Sequence, residues 1–598
     1  MFLNGITQVQ DNLTMISAFQ GLNRNLRIKD GEFSEMKNIT NDYFPAIGNR
    51  RKRGFINHLT KPQGIMGGRY LCYIDNNKLY IDESEILTLE DATYADTKRT
   101  LVMMGALICV FPDGVVYNTE TEETSYINNV VETASAPTFT LCKLDGESYT
   151  NVIESSTEPQ DRTKYWIDTS KTPVVMKMYN TNESQWVSVG TTYVKVSATD
   201  IGVGFKAYDS AEFSGVDTDL TYNGYDFNQV NIIYDCDDDY LIVAGLINST
   251  HTNSEAITVK REAPQMDFIC ECNNRLWGCS SDKHEIYGSK LGDPTNWRAY
   301  QGLDTDSYAA TVGTQNIFTG AVGFMGQVFF FKEDGYHKLF GNKPSNYELN
   351  WKSCRGIQPG SERSITMVDE YMCWKARDAV VIYDGSVETI SNALGVIPYY
   401  DAVGGGYRNK YYITMREEDG NPRLYVYDIR KGTWCAEDNM NALYMAYANN
   451  GFYIIDDNND LWVVNEEKMY VKWYPQDDIY PEDTLYPGNS VEGNLEGDIE
   501  WMLTTGDIGM DSPYQKYIKR IDVRLMVDVG ANIVFETEYD SSEEWKKVYE
   551  YPATRKRSFT VPIRVNRCDH MKLRLSGKGD VRVFSIGIIR EEGSDGDS

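Results

Sequence analysis

The phrase Asn76-Asn77-Lys78-Leu79-Tyr80 decides the fold that this sequence predicts, because it recurs along the chain. Close copies are Asn273-Asn274-Arg275-Leu276-Trp277 and Asn458-Asn459-Asp460-Leu461-Trp462, and looser forms begin at Asp113-Gly114, Asp334-Gly335 and Asp384-Gly385. Asn and Gly tolerate the left-handed backbone conformation that a tight hairpin needs. An apolar or alternating run precedes almost every copy. The phrase therefore predicts a hairpin unit that repeats.

Repetition of this unit predicts an all-β chain built on a β-propeller of about seven blades, with six to eight compatible with the pattern. The composition agrees, since 42 Tyr and 48 Gly suit half-exposed strands and many turns. Helical periodicity is scarce. One short helix candidate runs from Gly31 to Asn41, where Phe33, Met36 and Ile39 would share a face.

Changes in pattern divide the chain into six segments. Residues 133–263 lack the hairpin phrase, whereas strict alternation at Ile521, Val523 and Leu525 indicates half-buried antiparallel strands. We therefore predict an N-terminal arm (1–58), a first propeller part (59–132), an inserted β-domain (133–263), a second propeller part (264–475), a polar connector (476–495) and a C-terminal β-sandwich (496–598).

The charge balance is strongly acidic, with 88 acidic against 58 basic residues and a formal net charge of −30. Such a surface repels nucleic acid and acidic lipid. The longest apolar run, Val102 to Phe111, is about half of what a bilayer requires, so we predict no membrane anchor. The N-terminus carries no secretory signal, which predicts synthesis in a bacterial-type cytosol.

One basic run, Arg50-Arg51-Lys52-Arg53, stands out in this acidic chain. It predicts a patch that docks onto an acidic neighbouring protein. A solvated loop and a nucleic-acid contact are the alternatives.

Candidate metal ligands are sparse. Asp456, Asn458 and Asp460 place oxygen atoms at every second position, but the Gly of a calcium loop is missing, so a turn is the prediction and calcium the alternative. For Asp235 and Asp237 to Asp239 a turn is likewise the prediction and calcium binding the alternative. The 11 Cys predict buried free thiols, and the spacing of Cys270, Cys272 and Cys279 does not fit a zinc site. We predict no metal and no cofactor.

Catalytic patterns are equally sparse. The chain has only five His, no strand-turn-helix Ser elbow and no Gly-rich phosphate loop. Carboxylate pairs are too numerous among 88 acidic residues to indicate a glycosidase. The sequence predicts that the protein is not an enzyme.

The N-terminal segment carries a family resemblance. Gly21-Leu22-Asn23, Ile28-x-Asp30-Gly31-Glu32, Met36-x-Asn38 and a basic run that closes at Gly54 appear in that order. This order resembles the N-terminus of the β-propeller tail-hub or nozzle proteins of tailed bacteriophages, also called tail tubular protein B or head–tail stabilisation proteins. The C-terminal 100 residues are similar to the matching region in phages of Gram-positive gut bacteria.

The resemblance implies a structural virion protein, assembled in the cytoplasm of the host bacterium. Six copies would form a ring in the tail, extend the DNA ejection channel, and contact adjacent tail or connector proteins and fibres. The genome would pass through without specific binding. A tail-tip protein that binds host glycan is the alternative, and a glycan-degrading tail enzyme is a further one.

Overall fold

A computed structural model describes residues 12–220, 225–396, 398–464, 495–512, 514–528, 530–552, 557–563 and 566–592. Over these residues the protein is all-β, as predicted, and its helices are single 3-10 turns at Ala92–Tyr94, Thr218–Leu220, Pro344–Asn346, Glu362–Ser364 and Ser391–Leu394. None of these described helices has the length or apolar character to cross a membrane. Most of the predicted connector, and the end of the second propeller part, fall on residues 465–494, outside the described residues.

The N-terminal part contains six short strands followed by two four-stranded sheets. The short strands are β1 (Asn12–Ile16), β2 (Gly21–Leu22), β3 (Glu32–Lys37), β4 (Ile39–Thr40), β5 (Ile47–Asn49) and β6 (Gly54–His58). Sheet I contains β7 (Pro62–Met66), β8 (Cys72–Asp75), β9 (Lys78–Ile81) and β10 (Ser84–Thr88). Sheet II contains β11 (Thr100–Met104), β12 (Leu107–Phe111), β13 (Val115–Asn118) and β14 (Thr124–Tyr126).

Residues 129–261, which include most of the segment predicted as an insertion, form two further sheets. Their strands are β15 (Asn129–Glu132), β16 (Thr138–Cys142), β17 (Val152–Ser155), β18 (Tyr165–Asp168), β19 (Val175–Asn180), β20 (Gln185–Ser188), β21 (Tyr193–Ser197), β22 (Ser210–Ser214), β23 (Val230–Asp237), β24 (Tyr240–Ala244), β25 (His251–Thr252) and β26 (Thr258–Arg261). β17 to β20 form a small sheet, and the others form an eight-stranded sheet in the order β15-β26-β22-β23-β24-β21-β16-β25. Phe139, Val194 and Phe213 belong to their shared core.

Four more four-stranded sheets follow, together with four strands that begin a ten-stranded sheet and that we name sheet VI. Sheets III and IV contain β27 (Phe268–Glu271), β28 (Leu276–Ser280), β29 (Glu285–Gly288) and β30 (Tyr308–Thr311), then β31 (Phe318–Phe324), β32 (Gln327–Lys332), β33 (Gly335–Phe340) and β34 (Glu348–Ser353). Sheets V and VI contain β35 (Thr366–Val368), β36 (Tyr371–Lys375), β37 (Val380–Tyr383) and β38 (Val387–Thr389), then β39 (Tyr400–Tyr407), β40 (Lys410–Arg416), β41 (Pro422–Asp428) and β42 (Thr433–Ala436). Sheet VII contains β43 (Ala442–Ala448), β44 (Gly451–Asp456) and β45 (Asp460–Val463), and β6 is its fourth strand.

The C-terminal strands are β46 (Glu500–Thr505), β47 (Lys516–Val527), β48 (Asn532–Tyr539), β49 (Lys546–Pro552), β50 (Arg557–Val561), β51 (Arg567–Cys568), β52 (Met571–Lys578) and β53 (Val581–Glu592). One sheet has the order β4-β5-β53-β47-β50, with β1 also on β53. The second continues from sheet VI as β42-β2-β3-β46-β52-β48-β49. Ile521, Val523 and Leu525 from the first sheet share one buried core with Phe535 and Leu573 from the second.

The described chain separates into two compact units. Unit 1 contains residues 1–98, 331–336 and 353–598, and therefore sheets I, V, VI and VII with the C-terminal strands. Unit 2 contains residues 99–330 and 337–352, and therefore sheets II and III, most of sheet IV and the insertion. In sheets I to III and V to VII, successive strands pair antiparallel.

The repeated phrase forms hairpin turns, but not at one fixed position in the sheets. Asn76-Asn77 joins the second and third strands of sheet I, whereas Asn273-Asn274 joins the first and second strands of sheet III. All four Asn residues have φ between 47° and 62°, the left-handed conformation expected of such turns. The phrase therefore marks turn chemistry rather than a constant place in a repeat.

The helix predicted for Gly31 to Asn41 is wrong, because this segment forms β3 and β4. The pairing of β3 with β46 shifts register between Phe33 and Glu35. This bulge adds one residue, so Phe33 and Met36 are both buried although they are three positions apart. A bulged strand thus reproduces the apolar spacing of a helix.

The predicted N-terminal arm also differs from the observed arrangement. β1, β4 and β5 lie in one C-terminal sheet, while β2 and β3 join sheet VI to the other. Pairing between strands so distant in sequence leaves no periodic signal in the arm itself.

Candidate functional site

The basic run predicted to dock a partner lies mostly inside unit 1. Arg53 donates hydrogen bonds to Glu437 at 2.5 Å and to Asp438 at 2.7 Å, and its side chain is 1% exposed. Arg50 donates to Asp438 at 3.0 Å and to Glu496 at 2.5 Å. We name these five residues the Arg53 network. It joins the segment before β6 to the residues that precede β43 and β46.

Electrostatics inside the network favour the charged forms of Arg53 and Asp438. Burial would lower the pKa of Arg53, but the negative charges of Asp438, Glu437 and Glu496 raise it above its usual value. Burial would likewise raise the pKa of Asp438, yet Arg53 and Arg50 hold it well below the usual range. Two cations and three carboxylates therefore compensate one another within the fold, except for one negative charge in formal excess.

The other two residues of the basic run are more accessible. Arg51 is exposed, and Lys52 forms a surface ion pair with Asp498 at 3.0 Å. Arg51 also lines a cavity of about 280 Å³ together with Asp42, Tyr43 and Arg408. Docking of a partner stays a prediction, and in this structure it concerns Arg51 and Lys52 rather than the buried Arg50 and Arg53.

The calcium candidates form a turn. One carboxylate oxygen of Asp456 accepts hydrogen bonds from the backbone N–H groups of Asn458 and Asp460, each at 2.9 Å. Its other oxygen accepts from Trp462 Nε1 at 3.0 Å, and Asp460 contacts His58 at 2.8 Å. Turn and strand contacts thus account for both aspartates, and calcium binding stays the alternative to the predicted turn.

Metal ligands do not converge elsewhere in the described residues, where no group of three or more His, Cys, Asp or Glu could hold an ion. All 11 Cys are free thiols. The three cysteines whose spacing does not fit a zinc site pack in an apolar core with Trp277, namely Cys270, Cys272 and Cys279. Burial raises the pKa of Cys272 to about 11, so this thiol stays protonated at neutral pH.

A larger cavity, of about 780 Å³, opens beside sheet V. Its lining includes three cations from the ends of β34 and β36, namely Arg355, Lys375 and Arg377, and one carboxylate, that of Asp378. Amide and hydroxyl groups complete the polar wall, contributed by Asn25, Thr389, Ser391 and Asn392. We name it the Arg355 cavity. Sequence reasoning missed it, although several cations within residues 352–377 of an acidic chain are a visible signal.

Arg355 is held in place at the cavity wall. Its Nε and Nη2 donate to the Asp378 carboxylate at 3.0 Å, and its Nη1 donates to Thr389 Oγ1 at 3.1 Å. The hydrogen bond and charge of Arg355 lower the pKa of Asp378 below its usual value. Half of the Arg355 side chain remains exposed. A positioned, solvent-facing guanidinium is suited to bind an anion.

Lys375 is the most deeply buried of the three cations that line the cavity. Its Nζ donates to Gln358 Oε1 at 2.8 Å and to the carbonyl oxygens of Ala376 and Arg377. These acceptors are neutral, and burial lowers the pKa of Lys375 to about 8. Because no carboxylate accepts a hydrogen bond from Lys375 Nζ among these contacts, the positive charge of its protonated form adds to the charges of Arg355 and Arg377.

A second unpredicted feature is a tyrosine cluster in unit 2. Tyr208 is 55% exposed and has φ of 70°, a strained conformation for an aromatic residue. Its ring lies 6.4 Å from that of Tyr234, which lies 5.1 Å from Tyr193. Lys290 Nζ is 5.6 Å from the Tyr208 ring, and Gln301 donates to the Tyr234 hydroxyl at 3.1 Å.

Comparison with known proteins gives structural likeness only. No protein-family model and no curated protein matches the chain. A structure of U3-55K is 8% identical, and the match covers 69% of this chain and 97% of that one with a TM-score of 0.25. A glycoside hydrolase is 10% identical over 54% of this chain and 96% of that one, with a TM-score of 0.16. A Trypanosoma rangeli sialidase, in complex with 2,3-difluorosialic acid, is 8% identical over 70% and 94% with a TM-score of 0.19.

These matches correct the prediction that the protein is not an enzyme. That prediction is wrong as stated, because glycoside hydrolases and a sialidase are among the structures that the chain resembles. At TM-scores of 0.16 to 0.25 the likeness assigns no activity, substrate or residue to this chain.

Proposed function

We propose that this protein is a structural component of a bacteriophage tail. Copies of the chain, six by family resemblance, form a ring that extends the DNA ejection channel and contacts adjacent tail proteins or fibres. In this proposal sheets I to VII, each contributing four strands, are the blades of one propeller. β6 closes it by completing sheet VII with a strand from the start of the chain.

The observation that carries the proposal is the structural role of the N-terminal residues on which the family resemblance depends, from Gly21 to Gly54. Gly21 has φ of 87°, and a Cβ there would lie 2.3 Å from Trp434 O. Glu32 accepts from Asn23 at 2.9 Å, and Asn38 contacts Arg50 at 2.8 Å. The residues that resemble the phage family are thus those that fasten β2 and β3 between sheet VI and the C-terminal strands. The resemblance therefore falls on residues that build the architecture.

The charge of the chain is consistent with a DNA channel. A net charge of −30 repels a passing polyanion, so DNA would slide through without being retained. Ring closure requires head-to-tail contacts whose rotation returns to the first copy.

Mass measurement tests the ring. The purified full-length chain is weighed alone and after mixing with the neighbouring proteins of its tail, and the mixture is imaged by negative-stain microscopy. We expect a closed ring of about six copies with a central channel. A chain that stays monomeric with every tail neighbour would contradict the proposal.

A second candidate function, recognition of host surface glycan, is favoured by the tyrosine cluster. Tyrosine offers a flat apolar face together with a polar hydroxyl, and such residues are enriched at binding surfaces. The strained Tyr208 is followed by Asp209, which is fully buried, pairs with Arg261 and accepts from Asn296 at 3.1 Å. The backbone next to the exposed Tyr208 ring is thus fixed by the buried contacts of Asp209.

Binding to host cells distinguishes this function from the ring. We expect Tyr208→Ala to reduce binding about tenfold or more, whereas Tyr126→Ala, at a residue that is 60% exposed, leaves it unchanged. Equal binding by both variants would remove the second candidate and leave the ring proposal untouched.

A further inference from the structure

The Arg355 cavity differs from the rest of the protein in charge. Three cations and one carboxylate line it, in a chain whose net charge is −30. Arg377 is 80% exposed, and its ion pair with Glu333 is loose at 3.9 Å. Within the described residues the cavity therefore carries an excess of positive charge that the wall itself does not neutralise.

The donors of Arg355 are only partly used. A guanidinium has five N–H groups, and the contacts of Arg355 with Asp378 and Thr389 involve three of them. One N–H remains on each terminal nitrogen, beside a half-exposed side chain. Such a group matches a carboxylate or phosphate, because two oxygens can accept from it in parallel.

The remaining polar groups of the cavity are suited to form hydrogen bonds with the hydroxyl groups of a ligand. Asn25 and Asn392 supply amides, and Thr389 and Ser391 supply hydroxyl groups. The loops that carry them are tied together, since Asn25 Nδ2 donates to Asn392 O at 3.0 Å and Arg24 N donates to Ala393 O at 2.7 Å. A volume of about 780 Å³ lies within the usual range for a small-molecule site.

From these observations we propose that the Arg355 cavity binds an acidic saccharide, a sugar that carries a carboxylate or phosphate group. Arg355 and Arg377 bind the anionic group, while Asn25, Asn392 and Ser391 hydrogen-bond to the sugar hydroxyls. This site goes beyond the ring proposed above and does not depend on it.

The charge of Lys375 gives the site a distinct pH dependence. Among the charged and titratable lining residues, Asp378 raises the pKa of Arg355, Arg355 lowers the pKa of Asp378, and burial raises the pKa of Tyr399. Lys375, with a pKa lowered to about 8, is therefore the group whose charge changes near neutral pH. An anion in the cavity favours its ammonium form, so affinity falls as the pH rises above about 8.

Calorimetric titration of the full-length chain tests the proposal. The probes are glucuronic acid, glucose 6-phosphate, neutral glucose and inorganic phosphate. We expect both acidic sugars to bind about tenfold more tightly than glucose, and more weakly at pH 9 than at pH 7. Equal affinity for glucose and glucuronic acid would overturn the role of the cations. Inorganic phosphate that binds as tightly as glucose 6-phosphate would overturn the role of the sugar.

Matched variants locate the binding. Arg377→Gln removes an exposed cation and should weaken acidic-sugar binding about fivefold, and Arg355→Lys keeps the charge but removes the planar fork and should weaken it further. Arg430→Gln is the control, since Arg430 is 74% exposed and pairs only at the surface with Asp369. Unchanged affinity in Arg377→Gln and Arg355→Lys, with melting temperatures equal to that of the wild type, would contradict the assignment.

Discussion

At the scale of single residues, the Arg53 network shows how a basic run can be structural. Arg53 lies in the interior beside Glu437 and Asp438, and Arg50 connects the same pair to Glu496. Each charge would be costly to bury alone. Their mutual contacts make burial tolerable and fasten three distant chain segments together.

Removal of Arg53 should therefore be severely destabilising. We expect Arg53→Ala to lower the stability of unit 1 by about 3 to 5 kcal/mol, because Arg50 alone then compensates the three carboxylates of the network. Lys52→Ala, which removes an exposed pair with Asp498, should cost about 1 kcal/mol or less. Urea unfolding followed by tryptophan fluorescence measures both. Equal losses in the two variants would show that burial of Arg53 is unimportant.

Asp438 should make the free energy of unfolding depend on pH in the acidic range. Its pKa is lower in the folded protein than in the unfolded chain, where it is about 4, so its contribution is present above that pH and is lost as the pH falls below it. The stability difference between wild type and Asp438→Asn should be largest at pH 7 and shrink below about pH 4.

Asp498→Asn provides the control for this acid dependence. Its pair with Lys52 lies at the surface, so its smaller effect should disappear in about 0.5 M salt. A gap between wild type and Asp438→Asn that stays constant from pH 7 to pH 3 would contradict the assignment.

At the scale of elements, short backbone contacts decide which strands can be neighbours. In unit 1 the segment after β7 lies against the end of β43, where Gly68 N donates to Tyr447 O at 2.8 Å and Asn449 N donates to Gly68 O at 3.1 Å. A Cβ at Gly67 would lie 2.1 Å from Tyr447 O. Only glycine allows sheets I and VII to approach in this way.

Gly67→Ala should therefore loosen the contact between sheets I and VII. We expect a loss of about 1 to 3 kcal/mol from overpacking, with faster hydrogen exchange at Gly68 and Asn449. Gly190→Ala is the control, because nothing lies within 4 Å of a Cβ at that position. If Gly67→Ala melts at the same temperature as Gly190→Ala, the close approach does not limit stability.

The insertion is fastened by a buried ion pair in the same way as the N-terminal segment. Arg261 pairs with Asp209 and also donates to Ile127 O at 3.0 Å and to Tyr126 O at 2.9 Å. These contacts join β26 and the residue before β22 to the end of sheet II. Asp209, the residue after the exposed Tyr208, is therefore fixed to β26 and to the end of sheet II.

At the scale of the whole molecule, the proposed assembly of an acidic chain would require local regions of positive charge. Net charge of −30 opposes contact between copies, whereas Arg51 and Lys52 remain near the surface. Complementary patches speed association and select partners more than they add affinity.

Charge reversal tests whether this surface docks a partner. We expect Arg51→Glu combined with Lys52→Glu to slow assembly with tail neighbours about tenfold or more while the melting temperature stays within a few degrees of the wild type. Arg430→Glu, at an exposed site on another turn, should have little effect. Assembly at the wild-type rate by the double variant would remove docking from the roles of this run.

Local chemistry predicted much of the β-structure. The Asn-Asn turns, the alternation at Ile521 to Val527 and the change of pattern near residue 133 depend on neighbouring residues, and strands and turns follow from such short-range patterns. The turns at Asn76-Asn77, Asn273-Asn274 and Asn458-Asn459 accordingly each join two strands of a four-stranded sheet.

Contacts between residues far apart in sequence lay beyond these patterns. Pairing of β6 with β45, burial of Arg53 beside Glu437, and the meeting of Arg355 with Thr389 depend on where the folded chain brings distant segments together. The identity of a charged residue does not reveal whether its side chain faces water or a buried partner, so the sequence alone predicts a surface patch at residues 50–53. Its burial, and the cavity beside sheet V, follow only from the tertiary structure, because partners at long sequence separation decide the environment of each charge.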